Sequence, residues 1–206
     1  MINCVIYDCD GVLFDSLEAN RRLYNSICLS MGRSPITDEE LRFCHMNTVH
    51  HSIHRLFPRD AEIEAQAVEF LRNKVDLKEF IQYLRMEPNV IETLSLLKGK
   101  GIQTAISTNR TTSMKHIMER FDLWRYFDMV VTALDVERPK PDKESVEKIL
   151  AGLQVRSGES LYIGDSEIDQ QTAESAAVRF VAYKNRTIST GLYIDDHLQL
   201  LGILES

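Results

Sequence analysis

Short apolar runs alternating with amphipathic helical patterns constrain this chain more than any other feature. Residues 3–8 (NCVIYD) form an apolar run too short for a comfortable helix, ended by an acid. They predict a buried strand. Comparable runs recur at residues 103–108, 129–132, 161–164 and 179–183. Between them the spacing is helical. Val90, Ile91, Leu94 and Leu97 share one face, with Gly99 and Gly101 as stop signals. Met114, Ile117, Met118 and Phe121 form a second stripe, and Val146, Ile149 and Leu150 a third. Strands alternating with such helices predict right-handed crossovers and a Rossmann-like α/β fold, a parallel sheet with helices on both faces. In such sheets ligands gather beyond the carboxyl ends of the strands.

Residues 16–86 break the alternation. Tyr24, Ile27, Cys28 and Met31 make a helical stripe that ends at Gly32, and Thr37 followed by Glu40 has the form of a capping box opening a second helix. Further helical patterns run through residues 50–57, 61–73 and 77–86. Together they predict a small all-helical insertion between the first strand and Pro88.

The 206 residues suffice for one full domain and a modest insertion, and an apolar share of 44% supplies a continuous core. The net charge of -7 argues against a nucleic-acid surface, which needs clustered Lys and Arg. A local positive pocket for a small anion remains compatible with that charge. No stretch approaches the roughly 18 consecutive apolar residues of a bilayer span, and no signal peptide is recognisable at the start. Cys4, Cys9, Cys28 and Cys44 lack paired CxxC spacing, so buried, reduced thiols in a cytoplasmic protein are expected.

Four clusters carry chemistry, each beyond a predicted strand. Asp8 and Asp10 leave the first strand at i and i+2, on one face if the strand continues, and Gly11 permits a tight turn. One carboxylate can serve as nucleophile and magnesium ligand while the other shuttles a proton. Ser107-Thr108-Asn109 offers hydroxyls and backbone amides for phosphate oxygens, with a simple helix cap as the alternative. Lys140 stands between Pro139 and Pro141, which stiffen its loop and can aim its ammonium. Gly164-Asp165-Ser166 with Asp169 supplies hard oxygen ligands for Mg2+, and Asp169 falls in the first turn of the next helix, near its positive end.

With these motifs assembled, the sequence resembles the haloacid dehalogenase superfamily, specifically its phosphatase-like members with a helical cap after the first strand. The residues that carry the likeness are DCDGVLFDS from Asp8, STN ending at Asn109, RPKPD around Lys140 and IGDSEID ending at Asp169. The likeness covers essentially the whole chain, with residues 1–15 and 87–206 as catalytic core and 16–86 as cap. It implies that Asp8 attacks phosphorus and that Asp10 protonates the leaving alcohol and then activates water. Thr108 and the Asn109 backbone would hold the phosphoryl group, and Lys140 would neutralise charge. Asp8, the Asp10 carbonyl and Asp165 would bind magnesium, with Asp169 in support. Cys9 is expected to pack away from the phosphate.

The cap is expected to close over the phosphate site and to set substrate choice. His45 is the candidate substrate contact there, grouped with Gly11, Ser107 and Asn109 as substrate-binding positions, with Arg42 and Asn47 behind it. His50 and His54 have the i, i+4 spacing of a helical metal pair, with a solvated helix face as the alternative. Arg110 and Arg138 flank core motifs and can add positive potential. The function implied is hydrolysis of a small phosphorylated metabolite by a monomer or weak homodimer, without nucleic acid or membrane. A phosphosugar mutase using the same carboxylates and a non-catalytic phosphate-binding protein are the alternatives.

Overall fold

The computed structural model describes residues 1–58, 60–189 and 191–204. In chain order, β1 (Cys4–Tyr7) and the short β2 (Phe14–Asp15) precede helices α1 (Leu17–Ser30), α2 (Asp38–His45), α3 (Val49–Leu56) and α4 (Ala61–Lys74). A 3-10 helix at Leu77–Tyr83 leads to β3 (Arg85–Met86), α5 (Val90–Gly99), β4 (Gln103–Ser107), α6 (Ser113–Arg120) and β5 (Met129–Val131). The chain ends with α7 (Glu144–Leu153), β6 (Ser160–Gly164), α8 (Glu167–Ser175), β7 (Arg179–Tyr183), β8 (Tyr193–Ile194) and α9 (Leu200–Leu204).

Two compact units emerge. The first comprises Met1–Asp15 and Arg85–Ser206, the second Ser16–Leu84. In the first, a parallel sheet runs in the order β5-β4-β1-β6-β7-β8. β1 is flanked by β4 and β6, so these three strands deliver their carboxyl ends side by side. Alternation along β1 sorts the two faces. Cys4 and Ile6 pack with Tyr162, Phe180, Val146 and Ile149 of α7 and Ala173 of α8. On the other face the Tyr7 ring lies 6.0 Å from those of Phe127 and His197. Fully buried Ile or Leu side chains in such a core contribute about 1.5–3 kcal/mol each.

The second unit closes around its own core, with Tyr24, Ile27 and Cys28 of α1 against Leu41, Cys44, Ile53, Leu56 and Ala67. The capping box is present: Glu40 donates its backbone N–H to Thr37 Oγ1 at 3.2 Å, and Thr37 donates its own to Glu40 Oε2 at 2.9 Å. All four cysteines are buried and unbridged.

One stretch departs from its helical pattern. Residues 77–86 form the 3-10 helix, capped by Asp76 accepting from Lys78 N, and then β3, which pairs antiparallel with β2. Arg85 and Met86 find ladder partners in Asp15 and Phe14, some seventy residues earlier in the chain. A long-range pairing of this kind overrides local helical spacing. No helix among the described residues is long and apolar enough to cross a membrane.

Candidate active site

The strand ends assemble the site. Asp8 continues the β1 ladder by donating its N–H to Ile163 O at 3.0 Å, and Thr108 extends β4 by donating to Val131 O at 3.0 Å. Both side chains therefore leave the sheet from hydrogen-bonded backbone. After Asp8 the chain turns through Gly11 at φ +76°, and a Cβ there would stand 2.0 Å from Asp165 Oδ2. Only glycine meets both demands, the left-handed backbone and the carboxylate pressed against it.

Lys140 is the hub. Its Nζ donates to Asp8 Oδ1 at 2.7 Å, to Asp169 Oδ1 at 2.6 Å and to Tyr162 Oη at 3.1 Å, and the residue is only 4% exposed. Its backbone is tied down as well. Asn109 Oδ1 accepts from Lys140 N, and Asn109 Nδ2 donates to Lys140 O, each at 3.0 Å. The Asn109 side chain thus spans two loops and locks the lysine in place.

Asp8, Asp165 and Asp169 bring carboxylate oxygens within 4.8 Å of one another. Asp169 is committed on both oxygens: Oδ1 to Lys140 and Tyr162, and Oδ2 to Ser166 Oγ at 2.6 Å in a capping box that opens α8. Gly164 makes room for it, since a Cβ there would lie 2.3 Å from Asp169 Cβ. Three carboxylates around one ammonium leave an excess of negative charge. Burial, followed by the charge of Asp169, pushes the Asp8 carboxyl from its ordinary 3.8 up to about 7, although Lys140 pulls it down. Burial, with Asp169 and Asp8 beside it, also holds Asp165 well above the usual carboxylate range. Burial opposes the charge on Lys140, but Asp169 and Asp8 outweigh it and keep the ammonium protonated.

The set fits a hard divalent cation. All its donors are carboxylate oxygens, and ligands on opposite sides of Mg2+ stand about 4.2 Å apart. Asp8 and Asp165 are the best placed, because the oxygens of Asp169 are already engaged.

Asp10 faces Arg110, whose Nε and Nη2 donate to Asp10 Oδ2 and Oδ1, each at 2.6 Å. Thr108 is buried, and its Oγ1 accepts from Arg110 N at 3.1 Å. Cys9 is fully buried. Ser107 departs from its expected place. It is fully buried, with Oγ 2.8 Å from Ser145 Oγ of α7. It has the strand parity of Ala105, which packs against that helix face, so its hydroxyl goes to the core and not to the loop where Thr108 lies.

In the helical unit, His45 ends α2 with Nδ1 3.0 Å from Asn20 Nδ2. His50 and His54 are exposed on α3, and His54 Nδ1 lies 3.0 Å from Glu64 Oε2. Sequence reasoning missed Tyr162, Ser145 and Asn185. Tyr162 reads as an ordinary core residue of β6. Asn185, which donates to Asp165 O at 2.8 Å, follows β7 and was open to discovery by the strand-end rule alone.

The chain is similar to known proteins along most of its length. The profile of the haloacid dehalogenase-like hydrolases matches residues 5–183. A phosphoglycolate phosphatase from Rhodobacter capsulatus is 30% identical over 197 residues, covering 89% of this chain and 84% of the relative. A protein from Caldanaerobacter subterraneus is 35% identical over 133 residues, and the matched stretch spans only 60% of each chain. A crystal structure of a subfamily IA hydrolase of the same superfamily, from Geobacter sulfurreducens, superposes with a TM-score of 0.81 at 36% identity, covering 98% of this chain and 96% of that one.

Proposed function

The chain belongs to the haloacid dehalogenase-like hydrolase family, and on that footing we propose that it is a Mg2+-dependent phosphatase acting on small phosphate monoesters through Asp8. The observation that carries the reading is the convergence of Lys140 Nζ on Asp8 and Asp169, with Asp165 in reach of the same point. A buried ammonium beside a nucleophilic carboxylate suits phosphoryl transfer, which rewards positioning and charge neutralisation above all.

In this reading an Asp8 oxygen attacks phosphorus and the bond to the ester oxygen breaks. Asp10 gives its proton to the departing alkoxide. Asp10, now a base, takes a proton from water, whose oxygen attacks phosphorus and releases phosphate from Asp8. Thr108 Oγ1 and the backbone amide of Asn109 hold the phosphoryl oxygens. Lys140 offsets the charge that builds on Asp8 and phosphate. Asp8, Asp165 and the Asp10 carbonyl would hold Mg2+, with Asp169 in support; when bound, the ion supplies charge neutralisation for an anionic substrate beside anionic ligands. His45 is the candidate substrate contact from the helical unit.

Because the Rhodobacter relative is named a phosphoglycolate phosphatase, 2-phosphoglycolate is the first substrate to try, with sugar phosphates next. Phosphate release from a panel of such esters, with and without Mg2+ and beside the Asp8→Asn variant, tests the proposal. Release that needs both Mg2+ and Asp8 supports it; equal release by the variant overturns it.

A further inference from the structure

Arg110, which the sequence offers as a source of positive potential beside a core motif, meets Asp10 directly. Its Nε and Nη2 meet the two oxygens of Asp10 in parallel, each at 2.6 Å. The side chains are 17% and 27% exposed, so the pair is largely withdrawn from water. Such a fork fixes the plane of a carboxylate as well as its distance, which a single point charge does not do. Arg110 is itself held: its N–H donates to Thr108 Oγ1 at 3.1 Å, its carbonyl accepts from Ala133 N at 3.1 Å, and Nη1 reaches Ser113 Oγ at 3.4 Å. The arginine therefore connects the β4–α6 loop, which carries Thr108 and Asn109, to the proton-transfer group after β1.

We infer that Arg110 is a positioning residue that sets the orientation of the Asp10 carboxylate for proton transfer to and from the reacting oxygens. Each carboxylate oxygen has two acceptor sites. The fork takes one on each, and so fixes the plane of the carboxylate that exchanges a proton with alcohol or water. This deepens the proposed phosphatase reading and rests on it. The leaving group provides the diagnostic. An alkyl phosphate expels a strongly basic alkoxide that needs a well-aimed proton. p-Nitrophenyl phosphate expels a weakly basic phenolate that needs almost none. Because kcat/KM covers only the steps through departure of the first product, it isolates proton donation from the later attack of water.

The experiment compares kcat/KM for 2-phosphoglycolate, glycerol 1-phosphate and p-nitrophenyl phosphate in wild type, Arg110→Met and Arg110→Lys. Arg110→Met should lower kcat/KM for the alkyl esters by about 100-fold, and for p-nitrophenyl phosphate by less than about 5-fold. The loss should lie in kcat, with KM little changed. Arg110→Lys should recover part of the alkyl-ester rate, since it restores charge without the fork. Retained p-nitrophenyl phosphatase activity reports that the variant is folded. In an Asp10→Asn background, Arg110→Met should cost almost nothing more. Equal losses on all esters, a raised KM at unchanged kcat, or no loss at all would each overturn the inference while leaving the phosphatase reading intact. A wild-type protein that hydrolyses none of the esters overturns that reading and the inference with it.

Discussion

Asp165 lies directly against Gly11: a Cβ at position 11 would stand 2.0 Å from Asp165 Oδ2 and 2.5 Å from Asp165 Cγ. The turn that follows Asp8 and the loop that carries Asp165 are therefore packed as one piece. Gly11→Ala must distort that piece, because φ is +76° and the obstructing atoms belong to a buried metal-ligand candidate. The backbone penalty alone is about 1–2 kcal/mol. The variant should show a lower Tm and a Mg2+ activation midpoint shifted to higher concentration, read by thermal melts and a metal titration.

The carboxylate cluster makes stability depend on pH in a definite direction. Asp8 titrates near 7 in the folded chain against an ordinary 3.8, and Asp165 is raised as well. Between those values the folded state holds more protons than the unfolded one, so stability is greatest at the acidic side of the window and falls as pH rises through it. Metal-free protein should therefore lose Tm between about pH 4 and pH 7, and added Mg2+ should cancel most of the loss. Asp165→Asn should flatten the pH slope and abolish the response to Mg2+. A metal-free Tm that climbs over this window would count against the charge arrangement described.

Lys140 sets its ammonium among these acids, at 2.7 Å from Asp8 and 2.6 Å from Asp169. Removing one partner of a buried ion pair costs about 3–5 kcal/mol. Lys140→Met should accordingly destabilise the metal-free protein by that order, with Mg2+ restoring part of the Tm but not the turnover. Chemical denaturation with and without the ion separates the two effects.

Tyr162 holds the lysine from below. Its hydroxyl accepts from Lys140 Nζ at 3.1 Å and lies 3.1 Å from Asp169 Oδ1 and 3.3 Å from Ser107 O. Tyr162→Phe removes this link without opening a large cavity. It should cost about 1 kcal/mol of stability and lower kcat by several-fold, with Mg2+ affinity little altered, because Asp8 and Asp165 make no bond to the Tyr162 hydroxyl.

Much of this was legible in the chain itself, for identifiable reasons. The runs that became β1, β4, β5, β6 and β7 were visible because strands buried on both faces are continuously apolar, and the strand-end rule then located Asp8, Thr108 and Asp165. Local spacing failed at Arg85 and Met86, whose ladder partners are far away in sequence. It failed at Ser107 for a simpler reason. The triplet Ser107-Thr108-Asn109 looks like a unit in the chain, whereas the alternation along β4 directs Ser107 toward α7. The bond between Arg110 and Asp10 spans one hundred positions, and no local pattern signals a partner at that distance.

If Asp8 carries the phosphoryl group during turnover, the acyl phosphate can be trapped. Wild-type protein turning over its preferred ester with Mg2+ would be quenched in acid, reduced with borohydride and digested for peptide mass mapping. An acyl phosphate on Asp8 is converted by this treatment to homoserine. Homoserine is expected in the peptide containing Asp8, dependent on substrate and on Mg2+, and none at Asp10, Asp165 or Asp169. Rapid turnover with no reduction at Asp8, or reduction at another carboxylate, would contradict it.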